Sequence, residues 1–208
     1  MDSKFIVIEG LDGSGKTTQL NIIADRLEKR LIKTHRTAEP TKNTYGKLCR
    51  EYLSGKPAPK TLCAAVFTAD RIDHNTDPDD GINAHLSRGE TVLCDRYYYS
   101  TLAYQGVDVG MEWLKNLNLG CEDIRKPDLC IFLDLKPEIS MQRINTARNS
   151  DDIEIYENIP YLTDIRTRFY EVINILKDSE NIKIIDASRT IDEVADDIET
   201  EILKLYGI

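Results

Sequence analysis

The sequence predicts an open, three-layer α/β/α domain in which helices cover both faces of a five-stranded parallel sheet. Short apolar runs alternate with longer stretches of helical pattern along the whole chain, which is typical of a buried parallel sheet. No repeat, low-complexity segment or Gly/Ser linker interrupts this alternation. A chain of 208 residues can bury one substantial core but not comfortably two. We therefore expect a single domain over residues 1–208.

Five segments have the length and composition of buried strands. They are Phe5–Glu9, Lys33–Thr37, Thr91–Asp95, Leu129–Leu133 and Ile182–Asp186. Four of them are mostly aliphatic, whereas Lys33–Thr37 is polar and is the weakest of the set. Long helical stretches separate the strands, so right-handed crossover connections between parallel strands are expected.

The helices are predicted from apolar residues that recur with helical spacing. The predicted helices are Thr17–Lys29, Thr44–Leu53, Lys60–His74, Asp80–Ser87, Met111–Asn116, Pro137–Thr146, Ile159–Ser179 and Ile191–Tyr206. In Pro137–Thr146 the proline occupies the first turn, where it is well tolerated.

Composition narrows the class of protein. The formal net charge is −9, and so acidic a chain is a poor match for the phosphate backbone of a nucleic acid. No run of 18 apolar residues marks a membrane span and no secretory signal pattern is present, so we expect a cytoplasmic protein. The five cysteines lack C-x-x-C spacing, which favours reduced thiols over disulfides or a zinc site.

A glycine-rich segment follows the first predicted strand directly. From position 10 it reads GLDGSGKTT and satisfies the P-loop pattern G-x-x-x-x-G-K-[ST]. Glycines let the backbone curl so that N–H groups meet phosphate oxygens, and the next helix turns its positive end toward the same place. Lys16 is expected to be catalytic and Thr17 to be a Mg²⁺ ligand. The predicted ATP contacts in this loop are Gly10, Asp12, Gly13, Ser14, Gly15, Lys16, Thr17 and Thr18.

The third predicted strand ends in an acid that is followed by a base. Asp95 closes the strand at the carboxyl edge of the sheet, where ligands bind in such folds, and is expected to contact Mg²⁺ or its bound water. Arg96 would face the transferring phosphate. Both residues are predicted to be catalytic. The chain lacks the N-K-x-D tetrapeptide typical of GTPases, which favours a kinase.

With these residues in place, the chain resembles the thymidylate kinase family over nearly its full length. The blocks that carry the resemblance, besides the P-loop, are Glu39-Pro40-Thr41, Phe67-Thr68-Ala69-Asp70-Arg71, Asp95-Arg96-Tyr97, Ser100-Thr101-Leu102-Ala103-Tyr104-Gln105-Gly106, Lys126-Pro127-Asp128-Leu129 and Asp186-Ala187-Ser188. The Asp-Arg-Tyr block with the following Ala-Tyr-Gln-Gly is much more specific than the P-loop. The resemblance implies phosphoryl transfer from Mg-ATP to a deoxynucleoside monophosphate, with dTMP as the expected acceptor.

The resemblance also implies roles for individual residues around the acceptor. Phe67 would stack on the base, Arg71 would hydrogen-bond it, and Tyr104 would disfavour a ribose 2′-hydroxyl. Arg96 would clamp the acceptor phosphate. The implied acceptor-binding residues are Asp12, Glu39, Phe67, Arg71, Arg96, Ser100, Thr101, Tyr104 and Gln105.

On the donor side, the resemblance points to a family type that supplies cations from a lid. One type carries an arginine within the P-loop, where this chain has Gly13. A lid at about 146–157 would then bring Arg148, with Arg143 on the preceding helix, to the γ-phosphate, and both are predicted to be catalytic. Ser188 and Arg189, after the last strand, resemble the turn that flanks adenine.

Two arginines of the family pattern are missing. The chain has Ala38 before Glu39-Pro40 and Ile155 before Tyr156-Glu157-Asn158. Lys42 or Arg36 could replace the charge that is lost near Ala38, or the acceptor could be held differently.

Two other functions remain open on the sequence. A deoxynucleoside kinase would phosphorylate a 5′-hydroxyl and needs a carboxylate base, for which Glu39 is a candidate. A regulatory nucleotide-binding module would bind without turnover. The family resemblance further suggests a homodimer, with Lys60–His74 as a contact helix.

Overall fold

The computed structural model describes residues 2–147 and 158–208. Within these ranges the chain forms one five-stranded, all-parallel sheet with the strand order β2-β3-β1-β4-β5. The strands are β1 (Phe5–Gly10), β2 (Thr34–Ala38), β3 (Thr91–Asp95), β4 (Leu129–Asp134) and β5 (Ile182–Asp186). The predicted fold class is confirmed, and each predicted strand differs from the observed one by at most one residue at either end.

The position of each strand in the sheet follows from its composition. Every residue of β1 is buried, because the strand lies at the centre of the sheet with a helical layer on each face. The edge strands β2 and β5 are partly exposed, which explains why Lys33–Thr37 gave the weakest strand pattern. A polar edge strand also discourages pairing with another chain.

Helices cover both faces of the sheet. The helices of the described residues are α1 (Lys16–Lys29), α2 (Thr44–Leu53), α3 (Lys60–Thr76), α4 (Ile82–Ser87), α5 (Tyr98–Val109), α6 (Met111–Leu119), α7 (Pro137–Ala147), α8 (Ile159–Leu176) and α9 (Ile191–Tyr206). Alternate residues of β1 point to opposite faces. Phe5 and Val7 enter a core built with α5 and α8, whereas Ile6 and Ile8 enter a core built with α1 and α9.

One helix was absent from the predicted set. Residues Tyr98–Val109 form α5, although tyrosine and threonine are weak helix formers and the segment is apolar on most sides. Tertiary contacts decide its conformation, because its first turn is held by the buried carboxylate of Glu9. Gly110, with φ of 88°, separates α5 from α6.

Several predicted helix ends are corrected. Helix α4 begins at Ile82 and not at Asp80, because the side chain of Asp77 accepts the backbone N–H groups of Asp79 and Asp80 and holds them in a turn. Helices α3 and α6 extend beyond their predicted ends to Thr76 and Leu119, and α8 ends earlier, at Leu176.

The remaining sequence expectations concern cysteines and membranes. All five cysteines fall within the described ranges, where they are free thiols. Across residues 2–147 and 158–208, every helix is too short or too polar to cross a bilayer.

Candidate active site

The loop between β1 and α1 is tightly curled at the carboxyl edge of the sheet. Gly10, Gly13 and Gly15 have φ angles of 147°, 74° and 91°, a region that disfavours residues with a Cβ. A Cβ on Gly13 would also lie 2.8 Å from the carbonyl oxygen of Ser140 on α7. The hydroxyl of Ser140 in turn donates to the backbone carbonyl of Asp12, so α7 is packed directly against the loop.

Lys16 is folded back over this loop. Its Nζ donates to the carbonyl oxygens of Gly10 at 3.1 Å and Leu11 at 2.8 Å, and lies 3.9 Å from Oδ1 of Asp12. Burial lowers the pKa of Lys16 and the nearby Arg96 lowers it further, while surrounding carboxylates oppose the shift. A polyphosphate in the loop would add negative charge beside this ammonium group.

Thr17 and Asp95 bring two oxygen donors together. The hydroxyl of Thr17, in the first turn of α1, donates to Oδ2 of Asp95 at 2.6 Å. Asp95 is the last residue of β3. Hydroxyl and carboxylate oxygens are the ligand types that Mg²⁺ prefers, so the pair fits the predicted metal position.

Arg96 follows Asp95 in an unusual backbone conformation. Its φ is 69°, which is uncommon for a residue with a Cβ and often marks a functional site. One guanidinium nitrogen, Nη2, lies 2.5 Å from Oδ1 of Asp12, and Nη1 donates to Oγ of Ser100 at 2.9 Å. The guanidinium carbon lies 5.3 Å from the centre of the Tyr104 ring. Burial opposes the charge, but the attraction of Asp12 and Tyr104 outweighs it and raises the pKa of Arg96.

Glu9 holds this segment in place and was not among the predicted site residues. Its Oε1 accepts the backbone N–H groups of Tyr97 at 2.7 Å and Ser100 at 3.1 Å, and its Oε2 accepts the Ser100 hydroxyl at 2.6 Å. Full burial raises the pKa of Glu9, although Arg96 and these hydrogen bonds act in the opposite direction. An acid at the end of a buried strand, just before the P-loop, was the available sequence signal.

Two cavities share the Arg96–Asp12 pair in their linings. The first, of about 650 Å³, is lined by residues 12–18 of the P-loop, by Asp95 and Arg96, and by residues of α7 and α9. The second, of about 230 Å³, lies between α3, α5 and α8. Asp12, Glu39 and Arg96 line both cavities. The two cavities therefore adjoin each other at these three residues.

Comparison with known proteins agrees with this arrangement. Residues 8–198 match the family model described as thymidylate kinase. The chain belongs to the thymidylate kinase family. It is similar to the thymidylate kinase of Ligilactobacillus salivarius, with 35% identity over 95% of this chain and 96% of the relative. It is also similar to a probable thymidylate kinase of Pyrobaculum aerophilum, with 36% identity over 96% of both chains, and to one of Methanococcus aeolicus, with 34% identity over 83% of this chain and 80% of the relative.

The residues that the family resemblance implied for the acceptor lie together in the second cavity. All nine of them, Asp12, Glu39, Phe67, Arg71, Arg96, Ser100, Thr101, Tyr104 and Gln105, line it. Leu53 and Tyr161 line the same cavity and were missed. Neither belongs to a motif, because α2 and α8 reach this place only through the tertiary fold.

Arg71 is fixed at the bottom of this cavity by a network of buried partners. The side chain is 1% exposed. Its Nη2 donates to Oε2 of Glu39 at 2.6 Å and to the Thr101 hydroxyl at 3.0 Å, and its Nη1 donates to Oδ1 of Asn118 at 2.5 Å. Among the described residues, Nε of Arg71 and the buried hydroxyl of Tyr104 meet no hydrogen-bond partner. The pocket thus combines aromatic surface with polar atoms that a ligand could satisfy.

The predicted donor residues are divided between several positions. Arg143 and Arg189 line the first cavity, and Arg143 donates to the carbonyl oxygen of Ala187 at 3.0 Å. Ser188 does not line it, since its hydroxyl and backbone N–H both donate to Asp186. Gly10 does not line the first cavity either, although its carbonyl oxygen accepts a hydrogen bond from Nζ of Lys16. Arg148, Ile155 and most of the predicted lid at 146–157 lie outside the described residues.

Arg36, one of the two candidates to replace the charge missing at Ala38, is engaged by acidic side chains in this structure. The guanidinium of Arg36 pairs with Asp25 and lies 3.5 Å from Glu28. Lys42 is exposed and lines a third groove, together with Arg50. Arg50, which the sequence reasoning overlooked, donates to the carbonyl oxygens of Pro40 and Thr41 and so supports the loop that carries Glu39.

Proposed function

We propose that this family member transfers the γ-phosphoryl group of ATP to dTMP, with ATP in the first cavity and dTMP in the second. The observation that carries the proposal is that the Arg96–Asp12 pair forms a wall common to both cavities. The phosphate of an acceptor in the second cavity would then lie beside Arg96, facing a γ-phosphate held by the P-loop. This is the arrangement that an in-line transfer requires.

The protein contributes position and charge more than proton transfer. A phosphate monoester is already a competent nucleophile, so the site needs no general base for the attacking oxygen. Lys16, Arg96 and the N–H groups of the P-loop would stabilise the charge of the transferring phosphoryl group. Arg143 and Arg148 are proposed to add positive charge from the donor side. Exclusion of water during transfer would suppress hydrolysis of ATP.

Mg²⁺ is the expected companion of ATP. The Thr17 hydroxyl and the Asp95 carboxylate, joined by a hydrogen bond of 2.6 Å, are the residues that would hold it, directly or through water. When bound, the ion would neutralise negative charge on the β- and γ-phosphate oxygens.

In the acceptor cavity the proposed contacts follow the chemistry of dTMP. Phe67 offers an aromatic face to thymine, and Arg71, Ser100, Thr101 and Gln105 supply polar atoms near it. The ring of Tyr104 would lie against the sugar where a 2′-hydroxyl would crowd it. Asp12 and Arg96 would meet the phosphate.

The geometry of Glu39 argues against a deoxynucleoside kinase. Both carboxylate oxygens are engaged, one by Arg71 at 2.6 Å and the other by Nδ1 of His74 at 3.0 Å, and the side chain is 4% exposed. A general base needs an oxygen free to accept the proton of the 5′-hydroxyl. Glu39 is better suited to orienting Arg71 than to taking that proton.

Further expectations about the molecule remain proposals. We propose one kinase domain over 1–208, a cytoplasmic location and a homodimer. Helix α3 is the proposed contact between the two subunits. Its Leu62 is 45% accessible, and an exposed leucine would suit burial in such an interface. Light scattering of wild type and Leu62→Glu at equal concentration tests this. A monomeric wild type would contradict the dimer.

The function is tested by measuring ADP release with ATP and each of dTMP, dUMP, dCMP and thymidine. We expect the highest kcat/KM with dTMP and negligible turnover of thymidine. Turnover of thymidine without dTMP activity would support the deoxynucleoside kinase instead. ATP binding without turnover of any acceptor would support a regulatory module.

A further inference from the structure

A second group of metal-ligating side chains lies away from the P-loop, on the outer edge of the sheet. It comprises His35 on β2, Asp80 in the turn before α4, and His85 on α4. Within the described residues, each of the three offers a ligand atom, and these atoms all lie within 4.8 Å of one another. His35 precedes Asp80 and His85 by 45 and 50 positions in the sequence, and only the fold brings it to them.

The distances in this cluster suit a shared cation. Nε2 of His85 lies 3.0 Å from Oδ1 of Asp80, close to the ~3.4 Å that separates two ligands bound at ~2.1 Å in a tetrahedral site. The His35 and His85 rings are stacked, with centroids 3.3 Å apart and planes inclined by 18°. The ligand atoms of the two rings nevertheless lie within 4.8 Å of each other, and tilting one ring out of the stack would turn a lone pair of each ring toward a common ion.

A carboxylate behind His85 sets the orientation of its ring. Nδ1 of His85 lies 2.5 Å from Oε2 of Glu90, with Arg88 also beside this nitrogen at 2.9 Å. When Nδ1 donates its hydrogen to Glu90, Nε2 presents a lone pair to the Asp80 carboxylate. Two acceptors then face each other, a contact that either a metal ion or a proton on Nε2 relieves. A carboxylate on the far nitrogen of a histidine ligand is the usual support of such a ligand in metal sites.

The local surroundings leave room for an ion and for its remaining ligands. His35 and Asp80 line a groove of about 690 Å³ that extends along β2 to Thr17 and Asp95. The side chain of Asp80 is 83% exposed, so an ion has access from solvent. His74, the third histidine of the chain, is engaged with Thr37 and Glu39 and is not part of the cluster.

We propose that His35, Asp80 and His85 bind one divalent transition-metal ion of the Zn²⁺ type. Two imidazoles and one carboxylate favour such an ion over Mg²⁺, which takes oxygen ligands. The ion would strengthen the link between the edge strand β2 and α4, which the His35–His85 ring contact already makes. It is separate from the nucleotide-bound Mg²⁺, and the proposal does not depend on the phosphoryl-transfer reaction.

Binding is tested by titrating ZnCl₂ into the metal-stripped full-length protein, without nucleotide and with excess Mg²⁺ to occupy oxygen-only sites. We expect one equivalent to bind. Because each ligand supplies a large part of the affinity, His35→Gln and His85→Gln should each weaken it at least tenfold. Asp80→Asn should also weaken it, whereas the matched control Asp79→Asn, an exposed acid one position earlier, should not. Circular dichroism shows whether each variant is folded, and His35→Gln on the edge strand keeps the test valid if His85→Gln does not fold.

A spectroscopic experiment identifies the ligands. Co²⁺ in place of Zn²⁺ should give visible bands of nitrogen and oxygen coordination without an intense thiolate charge-transfer band. A thiolate band would assign binding to the free cysteines and overturn the proposal. Failure to bind one equivalent of Zn²⁺, or binding that survives both histidine substitutions, would also overturn the proposal. A proton shared by His85 and Asp80 would then account for their short contact.

Discussion

The guanidinium of Arg96 is paired with the carboxylate of Asp12, with Nη2 and Oδ1 2.5 Å apart. Asp12 belongs to the P-loop and Arg96 to the turn between β3 and α5, so the pair joins the two segments that bound the proposed donor and acceptor sites. An acceptor phosphate would compete with Asp12 for the same guanidinium. The pair thus marks the place where the two substrates would meet.

Arg96→Ala should abolish most turnover while leaving ATP affinity largely unchanged. Loss of one group that stabilises the transition state lowers kcat by about 10²- to 10³-fold. Steady-state kinetics with dTMP and calorimetric titration with ATP measure the two effects. Arg30→Ala is the matched control, because it removes a surface arginine that pairs with Glu199 on α9. This variant should keep both its turnover of dTMP and its affinity for ATP. Equal losses of turnover and ATP affinity in Arg96→Ala would contradict the proposed role.

Glu9→Gln should lower kcat by displacing Arg96, and should also change how stability depends on pH. Burial raises the pKa of Glu9 above 4.5, so the folded state disfavours ionisation. The favourable contribution of protonated Glu9 is then complete below pH 4.5 and is lost as pH rises through the folded pKa. Urea unfolding of both proteins at several pH values should show the wild-type advantage over Glu9→Gln falling as pH rises. If the difference in unfolding free energy between the two proteins did not change with pH, the pKa of Glu9 would not be raised in the folded state.

Gly13→Ala should destabilise the P-loop and weaken ATP binding. The substitution places a Cβ at positive φ and 2.8 Å from the Ser140 carbonyl oxygen. Strain of this kind costs about 1–3 kcal/mol, before any clash is counted. Gly55→Ala is an informative control, because Gly55 also has positive φ (98°) but a Cβ there would meet open space. Thermal unfolding should show a larger loss for Gly13→Ala, and equal losses would exclude the contact with α7 as a cause.

Tyr104→Ala should relax discrimination against a ribose, whereas Tyr104→Phe should retain it. The ring is proposed to exclude the 2′-hydroxyl, and the buried Tyr104 hydroxyl meets no partner among the described residues. The informative measurement is the ratio of kcat/KM for dTMP to that for 5-methyluridine monophosphate. Loss of discrimination in Tyr104→Phe would instead assign the role to the hydroxyl.

Glu39→Ala should destabilise the fold more than Glu39→Gln. It leaves the buried Arg71 without its counter-ion, and breaking a buried ion pair typically costs about 3–5 kcal/mol. Glutamine can still accept a hydrogen bond from Arg71. Urea unfolding distinguishes the two variants. If both variants were as stable as wild type, the Glu39–Arg71 pair would have no structural role.

The parts of the fold that were predictable from the sequence are those with a local signal. The five strands and the P-loop follow from short apolar runs and from glycine spacing, which act over a few residues. Helix α5 lacks such a signal, because its start depends on Glu9, 91 residues before Ser100. The start of α4 likewise depends on the Asp77 side chain, which holds Asp79 and Asp80 in a turn, and not on hydrophobic spacing.

The candidate site was predicted to a different extent on its two sides. The nine acceptor residues were implied by family motifs and do line one cavity. On the donor side, Ser188 could not be placed from the sequence, since its hydroxyl has a nearer acceptor in Asp186. Leu53 and Tyr161 were missed because they reach the pocket from neighbouring helices. Such residues belong to no sequence motif, so no pattern marks them.

The crowding of Gly13 by α7 has a consequence for how this kinase can change over evolutionary time. An arginine at that position, as in the other family type, requires a new side chain where Ser140 already leaves no room. The exchange would need a compensating shift of a helix that lies more than a hundred residues further along the chain. A side chain at position 13 therefore carries a cost in stability, which donor cations placed on other segments avoid.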